Sequence, residues 1–195
     1  MTDGRPSWDE YGMKLAVHAA ERADCTRRQV GAVLMAADRS IISSGYNGGP
    51  SKGKSCLKGE CPRGRLTHAE LPADSAYDTG GGTCVALHAE WNVLLRTAWH
   101  QFEGSTLYIT EEPCHICKVM ISGTAIHRVV APGYEWVRDY NGRTKTERKW
   151  VVKKEDLEYE PDSLGLVSDI QRAQHQALFN GTFPDNEIDR YPNRR

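Results

Sequence analysis

Two short motifs constrain this chain more than any other feature. His88-Ala89-Glu90 opens a helix-like segment at about residues 86–99, and Pro113-Cys114-His115-Ile116-Cys117 opens a second at about 114–122. A β-prone run, 106–110, lies between them and another, 126–131, follows. Strand and helix alternating at this spacing require right-handed crossovers and partly parallel pairing, so the sheet is expected to be mixed and covered by helices. Upstream, Ser7-Trp8-Asp9-Glu10 reads as a capping box for a helix at about 8–22. The runs 30–35 and 40–44 suggest an antiparallel pair, broken by Gly45-Tyr46-Asn47-Gly48-Gly49-Pro50.

In the helix candidate at 86–99, Leu87, Trp91, Leu94 and Leu95 fall at core spacing. From about 48 to 84 the chain is rich in Gly, Pro and charge, and a loop of that length in a compact domain is functional or pinned. Residues 138–162 are charged with little period, and 168–179 reads as a last helix. The 195 residues fit one domain, 1–195, with an insertion at about 48–84 and a C-terminal extension from about 136 to 195.

Composition removes several classes of function. With 25 Lys plus Arg against 26 Asp plus Glu, the formal net charge is −1, which disfavours a general nucleic-acid coat. Mean hydropathy is −0.59 and no stretch approaches the roughly 20 apolar residues of a membrane span. The N-terminus lacks the apolar run of a secretory signal, so a cytoplasmic protein is expected. In that reducing setting the six cysteines point to metal more than to three disulfides.

One His and two Cys, His88, Cys114 and Cys117, are three of the four ligands of a tetrahedral Zn²⁺ and leave one position open, which is the ligand count of a catalytic site. Bound Zn²⁺ brings the pKa of water near 7. Glu90, two residues from His88, is close enough to shuttle protons for that water. A redox Cys-x-x-Cys pair is the competing reading, but it has no use for His88 and Glu90. His115, between the two cysteines, is read as a non-ligand.

His88-x-Glu90 with Pro113-Cys114-x-x-Cys117 is the zinc nucleobase deaminase pattern. With Val30-Gly31-Ala32 and Gly45-Tyr46-Asn47-Gly48 upstream, the chain resembles the deoxycytidylate (dCMP) deaminase family over about residues 8–135. The resemblance implies an α/β, cytidine deaminase-like three-layer fold with a central mixed five-stranded sheet flanked by helices. It implies catalytic Zn²⁺ on His88, Cys114 and Cys117, Glu90 as proton shuttle, and Asn47 on the nucleotide sugar, with Ala89 beside the substrate. The implied reaction is hydrolysis of dCMP to dUMP and ammonia, a step toward thymidylate. A homo-oligomer, often a hexamer, is implied as well, with Trp91 and Trp99 either interfacial or in the core.

Cys25 and Cys56 match positions that hold a second zinc in some members. Cys61 and Cys84 would complete a four-thiolate structural site; the alternatives are three cysteines with His68, or buried thiols. For the substrate phosphate, Lys52 and Lys54, then Arg63 and Arg65, are the candidate cations. Tyr134 is placed either against the base or ribose, or in the core.

Two departures bear on the resemblance. Glu111-Glu112 before Pro113-Cys114 is more like tRNA adenosine deaminases. The helix end Leu95-Arg96-Thr97-Ala98-Trp99-His100 lacks the ending common in members activated by dCTP and inhibited by dTTP. The alternatives are therefore a dCTP or 5-modified dCMP deaminase, a polynucleotide adenosine deaminase, and an inactive zinc-stabilised interaction module. The near-neutral charge argues against the polynucleotide enzyme and Glu90 against the module.

Overall fold

The sheet is built from strands that are apolar on both faces. β1 (Gly31–Met35), β3 (Thr106–Ile109) and β4 (Arg128–Ala131) are buried almost throughout. Such continuous runs belong to a sheet covered on two sides. Ala32, Leu34, Leu107, Ile109, Val129 and Ala131 turn to one face, and Val33, Met35, Tyr108 and Val130 to the other, following the period of two. α1 (Trp8–Ala20) covers the second face with Met13 and Ala16. α2 (Ala89–Leu94) and α3 (His115–Ser122) cover the first, with Ala89, Val93 and Ile121. The result is a three-layer α/β/α arrangement.

The structure is a computed structural model that describes residues 4–72, 75 and 83–138 and the backbone of 144–148. All of these lie in one unit, Met1–Leu157. With β2 (Ile41–Tyr46), β5 (Tyr134–Arg138) and β6 (Thr144–Arg148) the sheet order is β2-β1-β3-β4-β5-β6. Among the described residues only β3 and β4 pair in parallel; the other pairs are antiparallel. The first five strands are the mixed sheet anticipated above, and β6 extends it. Among the described residues no helix is long and apolar enough to cross a membrane.

The predicted capping box forms: Glu10 N–H donates to Ser7 Oγ at 3.2 Å and Ser7 N–H to Glu10 Oε2 at 2.6 Å. Asp9, in the same turn, ties α1 to the sheet. It accepts from Arg128 Nη1 and Nη2 at 2.6 and 2.9 Å and from the Tyr108 hydroxyl at 2.9 Å. Burial pushes the Asp9 carboxyl up, but the hydrogen bonds from Arg128 and Tyr108 outweigh it, and the net displacement is below the usual range. A depressed folded-state pKa stabilises the fold above the unfolded value and loses that contribution as pH falls through the folded one. Asp9→Asn is therefore expected to cost about 2 kcal/mol at neutral pH. It should also flatten the stability profile below about pH 4, where the unfolded carboxyl titrates. Urea melts from pH 7 to pH 3 check this, and an acid limb as steep in the variant as in the wild type would count against it.

Two elements differ from the sequence reading. The helix expected over 86–99 is six residues long, Ala89–Leu94. Thr97 Oγ1 donates to the Val93 carbonyl at 2.8 Å, and Arg96 and Thr97 N–H take i−3 partners, so the ladder tightens and stops. Leu95 and Trp99 consequently face solvent, 70% and 67% exposed, rather than the core. The β5–β6 hairpin was not anticipated, because Thr144-Lys145-Thr146-Glu147-Arg148 contains no apolar residue. The helix expected at 168–179 lies outside the described residues.

The insertion leaves and returns through a two-residue neck: Leu87 N–H donates to Gly48 O at 2.7 Å and Gly48 N–H to Leu87 O at 3.1 Å. Two side chains from the α1–β1 connection then hold it. Asp24 accepts from Gly49 N–H, Ser55 Oγ and Cys56 N–H at 3.3, 2.7 and 3.0 Å. The Arg27 guanidinium donates to the carbonyls of Leu66, Leu71 and Pro72. Hydrogen bonds thus give the described part of the loop a fixed path beside the site.

Candidate active site

Both motifs sit at helix starts because each chain segment turns out of extended backbone there. His88 (φ −69°, ψ 156°) is the N-cap of α2 and Cys114 (φ −66°, ψ 167°) the N-cap of α3. Cys117 is three residues into α3, a spacing that brings its side chain beside that of Cys114. Burial, with the neighbouring Glu90 and Cys114, pushes the Cys117 thiol up, so metal binding there releases a proton. His88 Nδ1 is 3.2 Å from Cys117 Sγ and 3.6 Å from Cys114 Sγ, and the three ligand atoms lie within 4.8 Å of one another. With Zn–N and Zn–S bonds of about 2.0 and 2.3 Å, tetrahedral N···S edges are about 3.5 Å, so the set fits Zn²⁺. Burial lowers the pKa of His88, which keeps the imidazole neutral and able to ligate. His115 is exposed on the outer side of α3.

Glu90 is 4% exposed. Burial pushes its carboxyl up from the ordinary value, against hydrogen bonds from its own N–H and from Cys117 that pull it down. A proton carrier for near-neutral chemistry needs that displacement.

The site opens into a cleft of about 260 Å³ lined by His88, Ala89, Glu90, Cys114, Asn47 and the edge of the insertion. Asn47 is buried, and its side chain braces the turn into β1. Its Oδ1 accepts from Val30 N–H at 2.8 Å and its Nδ2 donates to Arg28 O at 2.7 Å. One N–H and one lone pair remain for a ligand. Among the predicted cations Arg63 lines the cleft, 5% exposed, whereas Lys52, Lys54 and Arg65 do not. Arg27, Arg28 and His68 complete a basic wall. Sequence reading missed Arg27 and Arg28; the available signal was their position just before β1, in the connection that Asn47 braces. Glu111 and Glu112 form an acidic rim beside Cys114, with Glu112 paired to Lys118 Nζ at 2.6 Å. Tyr134 is 7% exposed in the core cluster, under Lys118 Nζ at 4.7 Å from its ring, and it is not among the lining residues.

The four remaining cysteines line the same cleft as two pairs. Cys61 Sγ is 4.0 Å from Cys84 Sγ. Cys25 and Cys56 are hydrogen-bonded to each other, a contact that lowers Cys25 to about 6 and, with burial, raises Cys56. They do not converge as closely as His88, Cys114 and Cys117.

Fold and site together define a zinc-dependent hydrolase built on a three-layer deaminase scaffold. Residues 6–132 match the family described as the cytidine and deoxycytidylate deaminase zinc-binding region, and the chain belongs to that family. It is 46% identical over 128 residues to the deoxycytidylate deaminase of Mycobacterium phage D29, covering 66% of this chain and 96% of the phage protein. It is 40% identical over 127 residues to that of Saccharomyces cerevisiae, covering 65% of this chain and only 38% of the yeast protein. It is similar in structure to the dCMP deaminase of cyanophage S-TIM5 solved with dCMP and dUMP. That match has a TM-score of 0.47 and 26% identity, over 65% of this chain and 82% of that one.

Proposed function

We propose that the protein catalyses hydrolytic deamination of dCMP to dUMP with release of ammonia. The observation that carries this is the convergence of His88, Cys114 and Cys117 beside the buried carboxyl of Glu90, in a chain 46% identical to a phage deoxycytidylate deaminase. Zn²⁺ on the three ligands would supply the Lewis acidity that makes water a nucleophile at neutral pH. Glu90 does the proton work: it takes one proton from the attacking water and gives it to N3 of the cytosine, then carries the remaining proton of the new C4 hydroxyl to the 4-amino nitrogen as the C4–N bond breaks and ammonia leaves. Asn47 offers its remaining N–H and lone pair to the sugar. The wall of Arg28, Arg63 and His68 suits a monophosphate better than Lys52 and Lys54, which lie off the cleft. Purified protein given dCMP, dCTP, deoxycytidine and an adenosine-containing stem-loop should release ammonia fastest from dCMP. Reaction of only dCTP or only the stem-loop would overturn the substrate assignment while leaving the metal chemistry in place.

A second, structural zinc on Cys25, Cys56, Cys61 and Cys84 is part of the same reading, the metal drawing the two pairs together. Its support is that all four line one cleft and that Gly64 packs between two of them: a Cβ there would meet Cys56 Sγ at 2.5 Å and Cys61 Cβ at 3.3 Å. Metal analysis should return two zinc ions per chain, falling to one in Cys61→Ser; one in the wild type removes the second site. Thiolate sites of this kind suit the reducing cytoplasm. The exposed Leu95, Trp99, Val119 and Met120 fit a homo-oligomer, with 1–195 as one deaminase domain in each subunit.

A further inference from the structure

We propose that Trp91 is a positioning residue for the metal ligand His88, acting through the face of its indole ring. The inference rests on the reading of His88, Cys114 and Cys117 as zinc ligands. The imidazole of His88 and the indole of Trp91 are stacked, with ring centroids 4.8 Å apart and planes 15° from parallel. The stack follows from the helix start: His88 is the N-cap of α2 and Trp91 its third residue, so the two side chains rise over one side of the first turn. Sequence spacing alone gave Trp91 a core or interface role. It lies instead against the ring whose Nδ1 faces both sulfurs.

Two physical effects combine in this contact. Turning the imidazole out of its plane would drive its edge into the indole, so the plane that aims Nδ1 at Cys114 and Cys117 is held before a metal arrives. Less conformational entropy is then lost on binding. An imidazole bound to a dication also acquires positive charge, which the negative face of an indole stabilises as it does other cations. A leucine could fill much of the volume but has no such face, and a phenylalanine has a weaker one. Removing a group that orients a metal ligand typically costs 10- to 100-fold in metal affinity.

Zinc transfer to an excess of chromophoric chelator tests this directly. The release phase belonging to this site is the one absent from Cys114→Ser. In Trp91→Leu that phase should be about 10- to 100-fold faster than in the wild type, with Trp91→Phe intermediate. To separate the effect from a loss of packing, the wild-type chain is also made with 5,7-difluorotryptophan, which keeps the shape of the ring but thins its π cloud. Release should speed up in that protein, and fluorination should change nothing at this phase in the Trp91→Phe background. Unchanged release in Trp91→Leu, or a fluorination effect of equal size in Trp91→Phe, overturns the role of Trp91. A wild-type protein with no release phase that Cys114→Ser removes overturns the metal assignment, and the positioning role with it.

Discussion

Glu90→Gln should give a folded, zinc-loaded protein whose kcat on dCMP is lower by at least 10²- to 10⁴-fold, the range general acid–base catalysis contributes. In barrier terms that is about 3–5 kcal/mol. Glutamine has nearly the same volume as glutamate, so a side chain 4% exposed can be replaced without opening a cavity. The amide still hydrogen-bonds, but it cannot take a proton from water or return one to the leaving amine. His88, Cys114 and Cys117 are untouched, so zinc content should hold at the wild-type level. Burial disfavours the charged carboxylate here, so the variant is also expected to be at least as stable as the wild type. Ammonia release, metal analysis and a thermal melt on one preparation read all three quantities. Activity within tenfold of wild type would remove Glu90 from the chemistry, and zinc lost together with activity would make it a structural residue instead.

The parts of this site that were legible in the sequence are those fixed by local spacing. His88, Glu90, Cys114 and Cys117 each lie within the first turn of a helix, and Pro113 marks where one of those turns begins. Backbone geometry therefore decides which side chains converge, and the sheet brings the two turns together. The strands of the buried sheet were equally visible, since apolar runs such as Val33-Leu34-Met35 have no other use at that length. Of the cleft's basic wall, sequence reading named only Arg63 as a cation, beside Lys52, Lys54 and Arg65, which lie elsewhere. Lys52 and Lys54 follow the Tyr46-Asn47-Gly48 turn in sequence, but the neck at Gly48 and Leu87 and the grip of Asp24 and Arg27 send the insertion along a path that puts Arg63 and His68 at the cleft instead. Those anchors are hydrogen bonds between residues 25 to 45 apart, which leave no periodic trace. The short α2 is a similar case, because Thr97 ends it through a hydroxyl contact that helix propensity does not register.

Gly45→Ala should disable the enzyme more than it destabilises it. Gly45 is buried in β2 directly under the start of α2; a Cβ there would lie 2.5 Å from the Ala89 carbonyl oxygen, 3.0 Å from Val93 N and 3.0 Å from Val93 Cγ2. Ordinary van der Waals contact begins near 3.5 Å, so α2 must rise by about 1 Å or the strand must sink by as much. Overpacking of this kind costs about 1–3 kcal/mol. The larger consequence is local, because Ala89 stands between the ligand His88 and the proton carrier Glu90, while Cys114 and Cys117 ride on α3. Lifting α2 alone changes the distance from His88 Nδ1 to both sulfurs and the reach of Glu90, and a misplacement of about 1 Å can cost 10²-fold in rate. Urea melts should show the modest loss of stability. At temperatures well below the melt, activity should still be down about 100-fold and zinc should be held more weakly. Val93→Ala in the Gly45→Ala background separates the possible obstacles. It removes the side-chain contact but leaves the Ala89 carbonyl at 2.5 Å, so it should not restore activity. Recovery of wild-type rates in that double variant would show that β2 and α2 have the slack to absorb a methyl group, and that the close backbone approach does not set the position of His88 and Glu90.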